Sequence, residues 1–209
     1  MTEESKPAKD HGSRERTLVI IKPDGLQRSL LGEVIRRLEK TGLKLVALKF
    51  SVPTKEKISD HYQLEDDWLR KTGEKALKAY KERGKTPPEN DPNKIGQKVL
   101  DHLVNYMTSG PVIPMVWQGI HAVDIVRKVV GGTEPLTSDV GTIRGDYVID
   151  SYEIADLDGR AVRNVIHASS DKNEAKKEID LWFKQEELIN YRLVQEQILY
   201  DVNLNGILE

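Results

Sequence analysis

The chain has 209 residues, enough for one large domain or two small ones around a buried core. Hydrophobic residues make up 38% and charged residues 32%, and the net charge of -2 gives no general reason to expect nucleic acid or an anionic membrane as partner. The absence of cysteine excludes disulfides, thiol catalysis and cysteine zinc sites, and fits a reducing compartment.

The opening stretch "MTEESKPAKDHGSRE" has no apolar block, so residues 1–14 are expected to form a disordered tail and not a signal peptide. No later segment reaches a transmembrane length of apolar residues, and a soluble, cytoplasmic protein is expected. Folded structure should begin at "RTLVIIKPDG", where residues 18–21 are a β-rich run stopped by the turn signal Pro23-Asp24-Gly25. "LLGEVIRRLEKTG" places Val34, Ile35 and Leu38 on one helical face and ends at Gly42; "LKLVALKF" is the next strand. "TKEKISDHY" reads as a short helix carrying His61 and Tyr62. "DDWLRKTGEKALKAYKERG" looks helical, "KTPPENDPN" is a loop, and "KIGQKVLDHLVNYMTSG" resumes a helix. "PVIPMVWQG" is a buried-type strand, and "HAVDIVRKVVGG" an amphipathic helix closed by two glycines. "TEPLTSDVGTIRGD" is expected as a long ordered loop, "SYEIADLDGRA" as irregular, "VRNVIHA" as a strand and "DKNEAKKEIDLWF" as a helix. Strands alternating with amphipathic helices argue for an α/β sandwich on one sheet, in a single domain over residues 15–209.

Within "NVIHASSD" (164–171) a strand ends on His167 and hands over to a helix start, where anions are favoured. Asp171 and Glu174 have capping-box spacing, and Ala175, Ile179, Trp182 and Phe183 mark the buried face of the helix that follows. Glu178 shares that face. It is either an acid holding an imidazole N–H, which would fix the tautomer, or a rim acid paired with a nearby lysine. Lys22 follows a strand directly, Arg127 falls on an otherwise apolar helix face with Ala122, Val126 and Val130, and Arg144 is flanked by glycine and threonine. Asn164 reads as a strand-edge or turn residue; His61, His102 and His121 show no paired metal-ligand spacing.

Together "RTLVIIKPDGLQR", "HY" at 61–62, "SGPVIPMVWQG", "VRKVVGGTEP", "GTIRGD", "RNVIHAS" and "EIDLWF" closely resemble the nucleoside diphosphate kinase family, in the family's order and over roughly residues 14–200. The resemblance implies a ferredoxin-like α/β sandwich: a four-stranded antiparallel sheet with helices packed on it, here with a helical insertion. It implies a ping-pong γ-phosphoryl transfer between nucleoside tri- and diphosphates such as ATP, with Mg2+ bound to the nucleotide and no protein metal site. By motif position His167 is the phosphorylated residue, Glu178 its orienting carboxylate, and Lys22 and Tyr62 the contacts to the transferred phosphoryl and the sugar 3′-hydroxyl region. Arg127, Thr133 and Arg144 match phosphate contacts, and Asn164 a sugar contact. A homo-oligomer, hexamer or tetramer of dimers, is likewise implied.

The chain departs from the family pattern in two insertions, at about 65–98 and 150–161, and in Ser170 beside the nucleophile where an acid is frequent. Val99 stands where the base-stacking aromatic is expected, so Trp68 is the candidate to replace it, against the alternative of a core tryptophan; Ala161 stands where a bulkier base contact is common. A catalytically silent nucleotide- or protein-binding relative is the second reading.

Overall fold

Five of the six residues of β1 (Arg16–Ile21) are buried, because this strand lies inside a sheet whose two faces are both covered by helices. The computed structural model describes residues 15–200, so the tail expected at 1–14 lies outside the described residues. Its sheet contains β1, β2 (Lys44–Leu48), β3 (Ile113–Gln118) and β4 (Ile166–Ala168) in the order β2-β3-β1-β4, with every neighbouring pair antiparallel. This is the ferredoxin-like arrangement, built from two split β-α-β units.

Alternate side chains of β1 feed two cores. Val19 and Ile21 pack with Met115 and Trp117 of β3 under α2 (Leu31–Glu39) and α6 (Ala122–Val130). Leu18 and Ile20 join Val116, Ile179 and Trp182 on the other face, under α3 (Lys55–Tyr62) and α9 (Lys172–Trp182). Between α3 and β3 the chain forms α4 (Trp68–Glu82) and α5 (Pro92–Met107). These two cross so closely that a Cβ at Gly73 would collide with the Pro92 carbonyl, and one at Gly96 with that of Leu69. α10 (Glu196–Leu199) ends the described chain. Among the described residues no helix is long and apolar enough to cross a membrane.

Four stretches differ from the sequence expectation. Pro23-Asp24-Gly25 opens a short helix, α1 (Pro23–Gln27), because the fixed φ of a proline suits the first helical position as well as a turn. The expected long loop contains a 3-10 turn (Pro135–Thr137) and α7 (Ile143–Tyr147), capped by the Thr142 hydroxyl, which accepts from the Gly145 N–H at 3.1 Å. The expected irregular piece contains α8 (Tyr152–Leu157), capped in the same way by Ser151. Strand β4 is only three residues long, since the chain breaks at Val165, whose φ is +57°.

Candidate active site

A positive φ is strained for a β-branched residue, and Val165 is held there from both sides of its peptide. Its N–H donates to the Asp24 carboxylate at 3.2 Å, and its carbonyl accepts from the Lys22 N–H at 2.8 Å. The Ile166 N–H closes a tight turn onto the Asn164 carbonyl at 2.7 Å. This kink brings Asn164 to the end of β1, where its Oδ1 accepts from Lys22 Nζ at 2.7 Å and its Nδ2 donates to the Thr133 carbonyl at 2.9 Å. Tyr106 of α5 braces the same corner: its hydroxyl donates to Asp24 at 2.6 Å and accepts from the Asn164 N–H at 3.2 Å. Burial, with Arg144 nearby, pulls the Lys22 ammonium down to about 7.

One step further along, His167 Nε2 lies 2.7 Å from Glu178 Oε1. Glu178 is 1% exposed, and its other oxygen accepts from the Ser169 hydroxyl at 2.5 Å. Of the two readings open from the sequence, the imidazole partner is the one the fold supplies. With the carboxylate accepting from Nε2–H, the ring keeps its lone pair on Nδ1. Burial raises the Glu178 carboxyl above its usual value, and burial followed by the Lys22 charge pushes His167 well below 6.5, so the ring is neutral at neutral pH. The helix after it starts as expected: Asp171 accepts from the N–H groups of Asn173 and Glu174. The Glu174 carboxylate, however, reaches back to the Ser170 N–H and not to that of Asp171.

His61, read from the sequence as unremarkable, is buried beside this pair, its ring 4.6 Å from that of His167. Its Nδ1 accepts from the Trp182 indole N–H at 3.2 Å, which puts the His61 hydrogen on Nε2. Ligand atoms of His61, His167 and Glu178 lie within 4.8 Å of one another, but hydrogen bonds already engage His61 Nδ1 and His167 Nε2. The "HY" motif marks His61 only through the family resemblance; its place beside the pair comes from the meeting of α3 with α9.

His167 opens onto a cavity of about 390 Å³ that Lys22, Tyr62, Arg127, Thr133, Arg144 and Asn164 also line. The Tyr62 hydroxyl is buried without a protein partner among the described residues, and burial raises its pKa, so it remains a donor. Arg127 does not sit on the buried face of α6: it is exposed and reaches the cavity from the solvent side. Arg144 is 7% exposed and donates four hydrogen bonds to backbone carbonyls, of Gly131, Gly132, Asn164 and Ile166. At most one of its five N–H groups is left for a ligand, yet with its pKa lowered by burial only to about 10 it stays charged. Trp68 lies apart from this group. It does not line the cavity; at the start of α4 its ring packs 5.9 Å from that of Tyr62, whereas Val99 does line the cavity. Tyr152, Asp156 and Arg160, from the second insertion, line it as well.

A family model described as nucleoside diphosphate kinase matches residues 15–69 and 92–188, leaving 70–91 of the first insertion unmatched. A nucleoside diphosphate kinase of Pyrobaculum aerophilum is 49% identical over 179 residues, 84% of this chain and 98% of that protein. The crystal structure of an NDP kinase from the same organism superimposes with a TM-score of 0.81 at 46% identity, covering 85% of this chain and 100% of that one. The enzyme of Borrelia burgdorferi, solved with bound vanadate and ADP as a transition-state mimic, gives a TM-score of 0.72 at 32% identity, covering 89% of this chain and 96% of that one. Fold, cavity and likeness agree, and the chain belongs to the nucleoside diphosphate kinase family.

Proposed function

We propose that this chain transfers the γ-phosphoryl group of a nucleoside triphosphate to a nucleoside diphosphate by way of a phosphorylated His167. The observation that carries the reading is the division of labour on one ring, with Nε2 bonded to the buried Glu178 and the ring itself lining a cavity shared with Lys22, Arg127 and Arg144. His167 Nδ1 attacks the γ-phosphorus, and the N–P bond forms as the bond to the β-phosphate oxygen breaks. Positive charge that develops on the ring is balanced by Glu178 through Nε2–H. The nucleoside diphosphate leaves, and a second one takes the phosphoryl through its terminal oxygen, which restores the ring. Lys22, Arg127 and Arg144 balance charge on the oxygens in flight, and the partnerless Tyr62 hydroxyl gains an acceptor. The Borrelia burgdorferi relative was solved with bound vanadate and ADP, which supports a phosphoryl-transfer reading of this cavity.

On this reading residues 15–209 are one kinase domain carrying both insertions. Mg2+ belongs to it as an ion carried on the nucleotide. Asp156 and Glu174 are the carboxylates lining the cavity, Asp156 is already paired with Arg83, and the cationic end suits phosphate oxygens that bring their own cation. That ion supplies further neutralisation of the phosphate oxygens. A cytoplasmic homo-oligomer, hexamer or tetramer of dimers, completes the reading. Leu48, Phe50 and Val52, 44%, 70% and 70% exposed at and beyond the end of edge strand β2, offer apolar surface for such contacts. The silent-relative reading is disfavoured by the intact constellation around His167.

The test uses Mg2+ and γ-labelled ATP. The expected result is acid-labile label on the protein that moves to GDP as GTP, and no label on a His167→Ala variant that still binds ADP. Label retained by that variant overturns the mechanism, and a wild type that binds ADP but takes no label restores the silent reading.

A further inference from the structure

The residues that join the two insertions lie 68 or more positions apart in sequence, yet the structure ties one to the other. Arg83, just past α4, pairs with Asp156 of α8 at 2.9 Å, and Lys85 pairs with Glu153 at 3.0 Å. Arg83 is itself held: its Nε–H donates to the Ala79 carbonyl at 3.1 Å, and the guanidinium lies 5.2 Å from the centre of the Tyr80 ring. The first end of α8 is fastened to the body of the domain, with the Tyr152 N–H donating to Glu134 at 2.9 Å and the Leu136 N–H to the Asp150 carbonyl at 3.2 Å, while the Asp150 carboxylate closes the insertion on itself by accepting from Arg160 at 2.7 and 3.0 Å. Its far half leans on Arg83.

α8 faces the cavity along its length, through Tyr152 at its start and through Ala155 and Asp156 in that far half. Setting aside the cationic group around His167, the cavity walls come largely from α5, through Val99 and Leu103, and from α8 and the segment after it, through Ala155, Asp156 and Ala161. A nucleotide whose phosphates lie at the cationic group has its nucleoside between these walls. We propose that the two insertions act as one unit, in which Arg83 is a positioning residue that holds α8 against the nucleoside and so sets affinity for that half of the substrate. The inference rests on the reading of this cavity as the nucleotide site.

The experiment measures ADP and inorganic tripolyphosphate binding by calorimetry on the full chain with Mg2+, for wild type, Arg83→Ala, Arg83→Gln and Arg83→Lys. Arg83→Ala and Arg83→Gln are expected to weaken ADP about two- to five-fold, the scale of a half-exposed ion pair, and to leave tripolyphosphate unchanged; Arg83→Lys keeps ADP within about two-fold. In the labelling reaction the half-saturating ATP concentration rises by the same factor while the rate at saturation holds. Arg70→Ala, which breaks the Arg70–Glu74 pair on the exposed face of α4, changes neither ligand. Unaltered ADP affinity in both neutral variants, or equal weakening of ADP and tripolyphosphate, overturns the inference. A wild type that binds tripolyphosphate but not ADP overturns the nucleotide reading itself, a different outcome from either.

Discussion

Glu178→Gln separates catalysis from stability, because its two effects have opposite signs. The carboxylate accepts from two donors, His167 Nε2–H at 2.7 Å and the Ser169 hydroxyl at 2.5 Å. An amide of the same shape has one accepting oxygen, so one donor meets an NH2 group. If the oxygen keeps Ser169, the amide hydrogens face His167 Nε2, the ring hydrogen moves to Nδ1 and the attacking lone pair is lost. If the oxygen keeps His167, the bond survives without its charge. A hydrogen bond to a charged group contributes about 1 to 2 kcal/mol more than a neutral one, so the labelling rate falls at least roughly 5- to 30-fold.

Stability moves the other way. Burial raises the Glu178 carboxyl in the folded state. The contribution of a raised group is fully present below its unfolded value, about 4.5, and is lost as pH rises through the folded value. Wherever the wild type carries its buried charge the glutamine variant carries none, and the variant melts at the same temperature or higher there, with a flatter pH dependence above about 4.5. Rapid-quench labelling and thermal melts at pH 5 and 7 read both quantities. An unchanged labelling rate in the folded variant refutes the role given to the carboxylate.

Lys22 predicts proton uptake on binding. Its ammonium sits at about 7 because of burial and Arg144, and a phosphate oxygen favours the charged form. ADP affinity should therefore fall as pH rises above about 7, and calorimetry at pH 8 in two buffers of different ionisation heat should show a proton taken up, absent in Lys22→Met; equal heats for the wild type would contradict this. Gly73→Ala forces α4 away from α5 and is expected to cost about 1–3 kcal/mol, roughly 2 to 12 °C in melting temperature. Lys75→Ala on the exposed face of the same helix should stay within about 0.5 kcal/mol, and similar melts for the two variants would deny the close crossing.

Much of this architecture was readable because periodicity and caps agree. The continuous apolar runs of β1 and β3 announce strands covered on both sides, and Asp171 announces the start of α9. Helices α7 and α8 escaped that reading since five or six residues hold less than two turns of pattern, and only the caps Thr142 and Ser151 hint at them. Val165 misled for a physical reason. Valine favours a strand, and the bonds from Asp24 and Lys22 that override it come from residues 141 and 143 positions away in sequence. His167, Lys22, Tyr62, Arg127, Thr133, Arg144 and Asn164 meet in one cavity, with Glu178 behind the histidine. The neighbourhood of His61 and the absence of Trp68 from that cavity depend on how helices pack, which no local pattern records.

The two arginines of the cavity differ in how much freedom a ligand must remove from them. Arg144 is already immobilised by four backbone carbonyls, so an arriving phosphate finds its charge in place. Arg127 is exposed, and ordering such a side chain costs about 0.5–1.5 kcal/mol of rotamer entropy. In the proposed reaction the site is thus half rigid and half adaptable: a fixed cation beside His167, and an exposed one free to follow the nucleotide's phosphate chain as it changes between triphosphate and diphosphate in each half-reaction.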